Sequence, residues 1–274
     1  MKKIYLMTDL EGAAGVLDFE NFCFTSGRYY ELAKEFLTLE VNAALRGFFE
    51  GGAREVLVSD GHGPGAINPK LLDPRASLLR GWPNGWPLEL DASFDGVAWV
   101  GQHAKAGTER AHLCHTQSLH YIDLSVNGVS IGEFGQLALC AGELGVRCIF
   151  GSGDEAFTKE AQALAPGIET VSVKRGLRVG TGEDLDEKAY TRHNAGAIHV
   201  PPERARKLIY KGALKAMTRA RRGKSGLARL AAPYECVSFF RPSADSPVKQ
   251  VSRQSHPKSF IALMNMPDNP KPLE

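Results

Sequence analysis

Five side chains of the kinds that bind metal ions stand at the ends of apolar segments or beside a predicted helix start. They are Asp9, Glu11, His62, His103 and Glu133. Asp9 and Glu11 are two residues apart, so in an extended chain both carboxylates point to the same side. Carboxylate and imidazole donors without thiolates are typical of a hydrolytic zinc or manganese centre rather than a structural zinc site.

The segments before these residues predict strands of a parallel sheet. Apolar runs at 3–7, 55–58 and 96–100 are continuous rather than alternating, which is typical of strands covered on both faces. Between the first two, apolar residues recur at helical spacing over 30–50, and Gly51-Gly52 ends that helix. Because the loops after parallel strands meet at one edge of a sheet, the five side chains are expected to share a pocket.

The pattern changes after residue 105. Asn127-Gly128 separates two apolar segments and favours a type I′ hairpin turn. The segments that follow predict helices at 133–143, 155–164 and 202–222, and strands at 146–150, 169–174, 236–240 and 260–264. We therefore predict an α/β fold with a mainly parallel sheet sandwiched by helices, a β-hairpin insertion and a smaller C-terminal α+β subdomain. Residues 1–170 would form the metal-binding catalytic core and residues 171–274 the subdomain packed on it.

Each of the five candidate ligands also has an ordinary interpretation. A carboxylate such as Glu133 is favourable near a helix N-terminus, and a histidine at a strand end is often held by a local hydrogen bond. Their joint placement favours the metal interpretation. Since one catalytic zinc usually takes three ligands from protein, two metal ions bridged by a carboxylate would use the five better.

Three further histidines, His112, His115 and His120, lie between the third strand and the hairpin. One of them, close to a metal site, could act as general acid or base or as a nucleophile, because its pKa is near neutrality. Their spacing does not choose among them. A Cys114–His115 protease pair is disfavoured, because neighbours on an extended chain point to opposite faces.

Several short motifs together carry a resemblance to a known family. Met7-Thr8-Asp9-Leu10-Glu11-Gly12 resembles the Ser-x-Asp-x-Glu-Gly signature of the zinc-dependent D-aminopeptidases of the DppA type, with Met7 where a small hydroxyl residue is usual. The family order continues through Ser59-Asp60-Gly61-His62-Gly63, Gly101-Gln102-His103-Ala104, Gly107-Thr108, His115-Thr116 and 129–135. The resemblance covers at least the first 155 residues.

This resemblance implies a metallo-aminopeptidase that hydrolyses short peptides from the free amino terminus, with D-amino-acid peptides as substrates. It implies two zinc ions per subunit, with Asp9 bridging them and Glu11, His62, His103 and Glu133 completing the two shells; manganese or cobalt could replace zinc. His115 would be the catalytic histidine. A ring-shaped homo-oligomer is also implied. Two alternatives stay open from the residues alone: another binuclear amidohydrolase or phosphoesterase, and a non-catalytic metal- or ligand-binding protein.

Composition sets the remaining expectations. The 274 residues include 33 Lys plus Arg against 31 Asp plus Glu, a balance that argues against nucleic acid as a partner of the whole chain. The basic stretch from Arg204 to Arg229 is interpreted as a solvated helix face, with a patch for nucleic acid or peptide carboxylates as the alternative. No apolar run approaches signal-peptide or membrane-span length, and five unpaired-looking cysteines suggest buried thiols. We expect a cytoplasmic protein that does not bind membranes.

Overall fold

The computed structural model describes residues 1–223, 226–243 and 246–273. Its strands are β1 (Lys3–Thr8), β2 (Glu55–Asp60), β3 (Ser77–Leu79), β4 (Gly96–Gln102), β5 (Tyr121–Val126), β6 (Val129–Ser130), β7 (Arg147–Asp154), β8 (Glu169–Gly176), β9 (Ala197–His199), β10 (Tyr234–Phe240), β11 (Gln250–His256) and β12 (Lys271–Pro272). Its helices are α1 (Phe19–Phe22), α2 (Tyr30–Glu50), α3 (Glu133–Glu143), α4 (Glu155–Leu164), α5 (Glu187–His193), α6 (Pro202–Arg221) and α7 (Phe260–Met264).

The larger sheet confirms the predicted parallel arrangement. Its seven strands lie in the order β3-β2-β1-β4-β7-β8-β9, and every pair is parallel except β8 with β9. Thr8, the last residue of β1, is opposite Asp60 of β2 and Val100 of β4. The chain segments that follow these three strands therefore leave the sheet at the same edge.

Helices cover both faces of this sheet. Along β1, Ile4 and Leu6 pack into one apolar cluster and Tyr5 and Met7 into another, as the two-residue period of a strand requires. The first cluster contains α2 and α6, and the second contains α3 and α4. Each fully buried Leu, Ile or Phe contributes roughly 1.5–3 kcal/mol through the hydrophobic effect. Both faces are thus held by apolar packing, as the continuous apolar strands predict.

The hairpin and the C-terminal strands form a second, antiparallel sheet of order β12-β11-β10-β5-β6. Asn127 and Gly128 have φ angles of 51° and 75°, which confirms the predicted hairpin turn. Strand β8 crosses the expected boundary at residue 170, and α6 packs with α2 on the first sheet. The division into residues 1–170 and 171–274 is not tested by these two observations and stays a prediction.

The strand predicted at 260–264 is wrong, because this segment is helix α7. Ser259 caps the helix by accepting a hydrogen bond from the backbone N–H of Ala262, and Glu143 accepts from the N–H groups of Phe260 and Ile261. Five apolar residues are too few to distinguish a strand from a helix by periodicity. The carboxylate of Glu143, distant in sequence, stabilises the start of this helix, and no local sequence pattern predicts that contact.

Helix α6 carries the part of the basic stretch that ends at Arg221, while Arg222 and Arg229 lie beyond the helix. Ala205, Ile209, Ala213 and Met217 are buried against the sheet, as expected for an amphipathic helix, while Lys224 lies outside the described residues. All five cysteines are buried and free. Within the described ranges, no helix combines the length and the apolarity that a membrane crossing needs.

Candidate metal centre

The loop after β1 is bound tightly to the end of β4. The backbone N–H of Asp9 donates to the carbonyl of Val100 at 3.0 Å, and that of Gly12 donates to the carbonyl of Gly101 at 2.7 Å. A Cβ atom at Gly12 would lie 2.1 Å from the carbonyl oxygen of Gln102, so only glycine fits there. This close approach directs the side chains of Asp9 and Glu11 toward the residues that follow β2 and β4.

The structure brings all five candidate ligands and His115 together in two adjoining groups. Asp9, Glu11 and His62 form one group, and His103, His115 and Glu133 form the other; within each, the donor atoms lie within 4.8 Å of one another. Their role as ligands stays a prediction.

Asp9 connects the two groups. Its Oδ1 lies 3.4 Å from Nδ1 of His62, and its Oδ2 lies 3.0 Å from Nε2 of His103. The far sides are closed by Glu11 Oε2, 3.2 Å from Nδ1 of His62, and by Glu133 Oε2, 3.4 Å from Nε2 of His103. One carboxylate with an oxygen toward each imidazole is the arrangement of a bridging ligand.

Each of the three imidazoles is oriented by a backbone carbonyl. His62 donates through Nε2 to the carbonyl of Cys23 at 2.9 Å, and His103 donates through Nδ1 to that of Ala104 at 2.9 Å. His115 donates through Nδ1 to the carbonyl of Leu113 at 3.0 Å. Since a carbonyl only accepts, the neutral form of each ring presents its other nitrogen, with a free lone pair, to the carboxylates. Metal-binding histidines are commonly oriented in this way.

The electrostatics of the cluster favour added positive charge. Burial alone would lower the pKa of His62, but the carboxylates of Glu11 and Asp9 raise it to about 11. Burial likewise opposes protonation of His103, yet Glu133 and Asp9 raise its pKa well above the usual value. Burial would raise the pKa of Asp9, and the two imidazoles lower it instead. The carboxylates of this cluster thus keep the imidazoles of His62 and His103 protonated, unless metal cations take the place of those protons.

Two atoms of the cluster test whether metal ions fit. Oε2 of Glu11 and Nε2 of His103 are buried, and their close contacts, with Nδ1 of His62 at 3.2 Å and with Oδ2 of Asp9 at 3.0 Å, do not have the angles of a hydrogen bond. Buried polar atoms are rarely left unpaired, because each costs about 1–3 kcal/mol. Both atoms face the centre of their groups, where a cation would satisfy them. The donor set of imidazole nitrogen and carboxylate oxygen suits zinc.

The segment around His115 is unusually constrained. Arg110, Leu113 and Gln117 have φ angles of 55°, 55° and 62°, a region that residues other than glycine rarely adopt. Tyr190 and Asn194 hold the carbonyl of Cys114: the phenol donates at 3.0 Å and the amide Nδ2 donates at 3.0 Å. The ring of His115 stacks on that of His103, with 4.0 Å between centroids. These hydrogen bonds and the ring stacking hold the strained backbone in place and so fix the position of the His115 imidazole.

The other two histidines of the segment lie elsewhere. His112 is fully buried against the carbonyls of Leu17 and Ala195, and burial lowers its pKa to about 2. His120 stacks on Phe240. Burial raises the pKa of the Cys114 thiol, so that side chain is not an activated nucleophile.

Lys174 is a part of the site that the sequence did not indicate. It is fully buried, and its Nζ donates to the carbonyls of Glu11 and Val16, the latter at 3.2 Å. Burial lowers its pKa to about 8, while Asp154 and Glu40 oppose the shift. The available sequence signal was that Lys174 ends a predicted strand directly after Val173.

Comparison with known proteins identifies the class of this fold and site. A family model described as D-aminopeptidase matches residues 1–251, so the chain belongs to the D-aminopeptidase family. A D-aminopeptidase of Bacillus subtilis (strain 168) is 32% identical over 178 residues, which span 64% of this chain and 64% of that relative. The aligned part is thus just under two thirds of the relative's length.

A solved structure shares the fold. It is described as the Zn-dependent D-aminopeptidase DppA from Bacillus subtilis, a self-compartmentalizing protease. It superimposes with a TM-score of 0.79, covering 95% of this chain and 94% of that chain at 22% identity. The match confirms the predicted α/β architecture.

Proposed function

We propose that this protein is a metallo-aminopeptidase that releases the amino-terminal residue, in the D configuration, from short peptides. The observation that carries the proposal is the position of Asp9, whose two carboxylate oxygens face two separate imidazole–carboxylate groups. Such a site accommodates two divalent cations about one bridging ligand. Membership of the D-aminopeptidase family supports the choice of peptide substrates, and the protein of the same fold that is described as Zn-dependent supports the choice of zinc.

The residues divide into two shells. Asp9, Glu11 and His62 would hold one zinc ion, and Asp9, His103 and Glu133 the other. When bound, the two cations supply Lewis acidity at the scissile carbonyl and make an attacking water more acidic. Gln102 donates from Nε2 to Oδ2 of Asp9 at 3.3 Å and so helps to orient the bridging carboxylate.

His115 is placed to move a proton. Its Nδ1 is committed to the carbonyl of Leu113, and its Nε2 lies 3.7 Å from Oε1 of Glu133. In the neutral ring this nitrogen accepts a proton, and the resulting imidazolium, paired with Glu133, can donate that proton to the departing amine. Direct attack of Nε2 on the carbonyl is the alternative role. The free amino group of the peptide would bind at the metal site or pair with a nearby carboxylate, and on this ground we expect selectivity for uncapped substrates.

Three further expectations belong to this proposal. A relative of the same fold is described as self-compartmentalizing, which supports a homo-oligomer here, with a ring as its expected form. A cytoplasmic location is expected from the sequence. Manganese or cobalt would be accepted by the same nitrogen and oxygen donors.

A peptide panel on metal-stripped protein tests the proposal. Zinc, manganese or cobalt is added back, and hydrolysis of D-Ala and L-Ala peptides with free or acetylated amino termini is measured. We expect turnover only with metal and only of free amino termini, with D peptides preferred. Hydrolysis of capped peptides or of phosphoesters would assign the site to another class of hydrolase.

Two variants separate metal binding from proton transfer. His62→Ala should lose both bound zinc and turnover, whereas His115→Ala should lose turnover and retain zinc. His120→Ala is the matched control, because His120 lies outside the cluster, and it should retain both. Zinc content is measured by mass spectrometry. Full zinc occupancy in His62→Ala would remove that residue from the ligand set.

A further inference from the structure

A cavity of about 550 Å³ opens beside the metal centre, and one of its walls is apolar. The polar wall consists of Asp9, Glu11, His62, His115, Glu133 and Glu187, with a few neighbouring amides and hydroxyls. The apolar wall includes Met7, Trp82, Trp86, Leu88, Leu119 and Leu137. Among the residues that the structure describes, none lining this cavity is a lysine or an arginine. The lining of this cavity thus combines the polar groups of the metal centre with an apolar surface, to which the loop with Trp82, Trp86 and Leu88 contributes.

Three of these residues belong to the loop 81–88, which is held rigidly from several directions. Trp82 donates from its indole Nε1 to Oγ of Ser59 at 3.0 Å. Asn265 binds both backbone groups of Trp86, accepting from its N–H at 3.0 Å and donating to its carbonyl at 2.9 Å. Tyr5 donates to the carbonyl of Leu88 at 2.6 Å.

Because the loop is anchored at three residues, the apolar wall is formed before any ligand arrives. A ligand that contacts it does not have to order the loop first. Ser59 and Tyr5 belong to the sheet, and Asn265 follows α7, so elements distant in sequence hold the wall. The two tryptophans therefore do more than fill space under a loop: they present a fixed apolar surface to the cavity.

The volume of this cavity exceeds what a peptide with a methyl side chain on its first residue needs. Cavities of roughly 300–1,000 Å³ take drug-sized ligands, and this one lies within that range. When the amino group and the scissile carbonyl are held at the polar wall, the side chain of the first residue extends into the rest of the cavity. A methyl side chain would leave the apolar wall uncovered.

We propose that the wall formed by Trp82, Trp86 and Leu88 is a specificity subsite for a large apolar side chain, aromatic or branched aliphatic, on the amino-terminal residue of the peptide. This inference rests on the proposed aminopeptidase function. Apolar pockets discriminate roughly tenfold or more for a difference of one or a few methylene groups. Peptides with D-Phe or D-Leu at the amino terminus should therefore be preferred to those with D-Ala.

The test compares kcat/KM of the zinc-loaded protein for D-Phe-Gly-Gly, D-Leu-Gly-Gly and D-Ala-Gly-Gly. We expect the first two to exceed the third by at least tenfold. D-Ala-D-Phe-Gly moves the aromatic group to the second residue and should gain less than threefold over D-Ala-Gly-Gly. Equal values for the three first residues, or a gain only from the second residue, would overturn the inference while leaving the aminopeptidase proposal standing.

Variants assign the preference to the wall. Trp86→Ala should reduce the D-Phe to D-Ala ratio of kcat/KM at least tenfold, and Trp86→Phe should restore most of it. Tyr210→Ala, on α6 and outside the cavity lining, is the matched aromatic control and should keep the ratio within twofold. If the Trp86→Ala variant had the thermal stability of the wild type and still kept the wild-type D-Phe to D-Ala ratio, the assignment to this wall would be contradicted.

A binding measurement decides the inference even if no peptide is hydrolysed. Free D-Phe and D-Ala are titrated by calorimetry into the zinc-loaded protein and into zinc-loaded Trp86→Ala. We expect D-Phe to bind at least tenfold more tightly than D-Ala, and this advantage to be lost in the variant. Equal affinities would refute the apolar subsite, whereas absent turnover with preserved D-Phe binding would refute the proposed function alone.

Discussion

Replacing Lys174 with methionine should weaken both the fold and the metal centre. Its Nζ is the donor to two carbonyls of the loop after β1, those of Glu11 and Val16. Hydrogen bonds from a charged donor contribute about 1.5–3 kcal/mol each. Removing a buried charge recovers part of this energy, because the ammonium no longer has to be desolvated. We therefore expect a net loss of about 3 kcal/mol in the free energy of unfolding.

The effect on metal should be larger than the loss of stability alone would cause. The carbonyl held by Lys174 belongs to Glu11, so the loop that carries this carboxylate is released. Loss of a partner that orients a ligand typically weakens metal affinity 10- to 100-fold. Methionine has a similar length and fills the same space, so the change isolates the ammonium group from its packing.

Urea unfolding of the metal-free protein and zinc competition with a chelator measure the two effects. The matched control is Lys207→Met on α6, where an exposed lysine pairs with Glu203 and the change should stay below about 0.5 kcal/mol. If Lys174→Met unfolded within that same margin of the wild type and bound zinc with unchanged affinity, the structural role derived for this lysine would be refuted.

Two further changes test other parts of the site. Tyr190→Phe removes the hydroxyl that accepts from the N–H of Gly107 and donates to the carbonyl of Cys114, each at 3.0 Å. Turnover should fall about tenfold with unchanged zinc content, since the backbone beside His115 loses an anchor; reduced zinc content would contradict this. Burial raises the pKa of Glu40 from 4.5 to about 7, against the opposing N–H of Ala14 and the charge of Lys174. A raised pKa in the folded state means that this carboxyl contributes stability below about pH 4.5 and that the contribution is lost as pH rises through about 7. Relative to the wild type, Glu40→Gln should therefore gain up to about 3 kcal/mol between pH 4.5 and pH 8 in urea unfolding; equal differences at both pH values would refute it.

Most of the local structure was predictable from the sequence. The helix predicted at 30–50 and that at 133–143 have the predicted bounds, because their apolar spacing and their glycine neighbours are local signals. The turn at Asn127-Gly128 follows from the φ angles that these two residues tolerate. Helix α7 was mistaken for a strand, because its N-terminus is held by Glu143, more than a hundred residues away in sequence.

The candidate ligands could be selected from the sequence because parallel strands end at a common edge. Asp9, His62 and His103 follow β1, β2 and β4, which are neighbours in the sheet. The choice of His115 among three histidines depended on the family resemblance, because their spacing contained no preference. The tertiary structure separates them: His112 is buried against backbone carbonyls and His120 stacks on Phe240.

The sequence by itself determined most of the segments that become helices and strands of the main sheet, and which residue types could hold metal ions at its edge. Only the tertiary structure decided that Asp9 lies between two imidazoles, that Lys174 anchors the loop of Glu11, and that the tryptophan loop becomes a wall of the cavity. The physical reason is the sequence distance over which each interaction acts. Helical period, strand character and turn conformation depend on neighbouring residues. Hydrogen bonds between groups a hundred residues apart depend on how the completed layers pack.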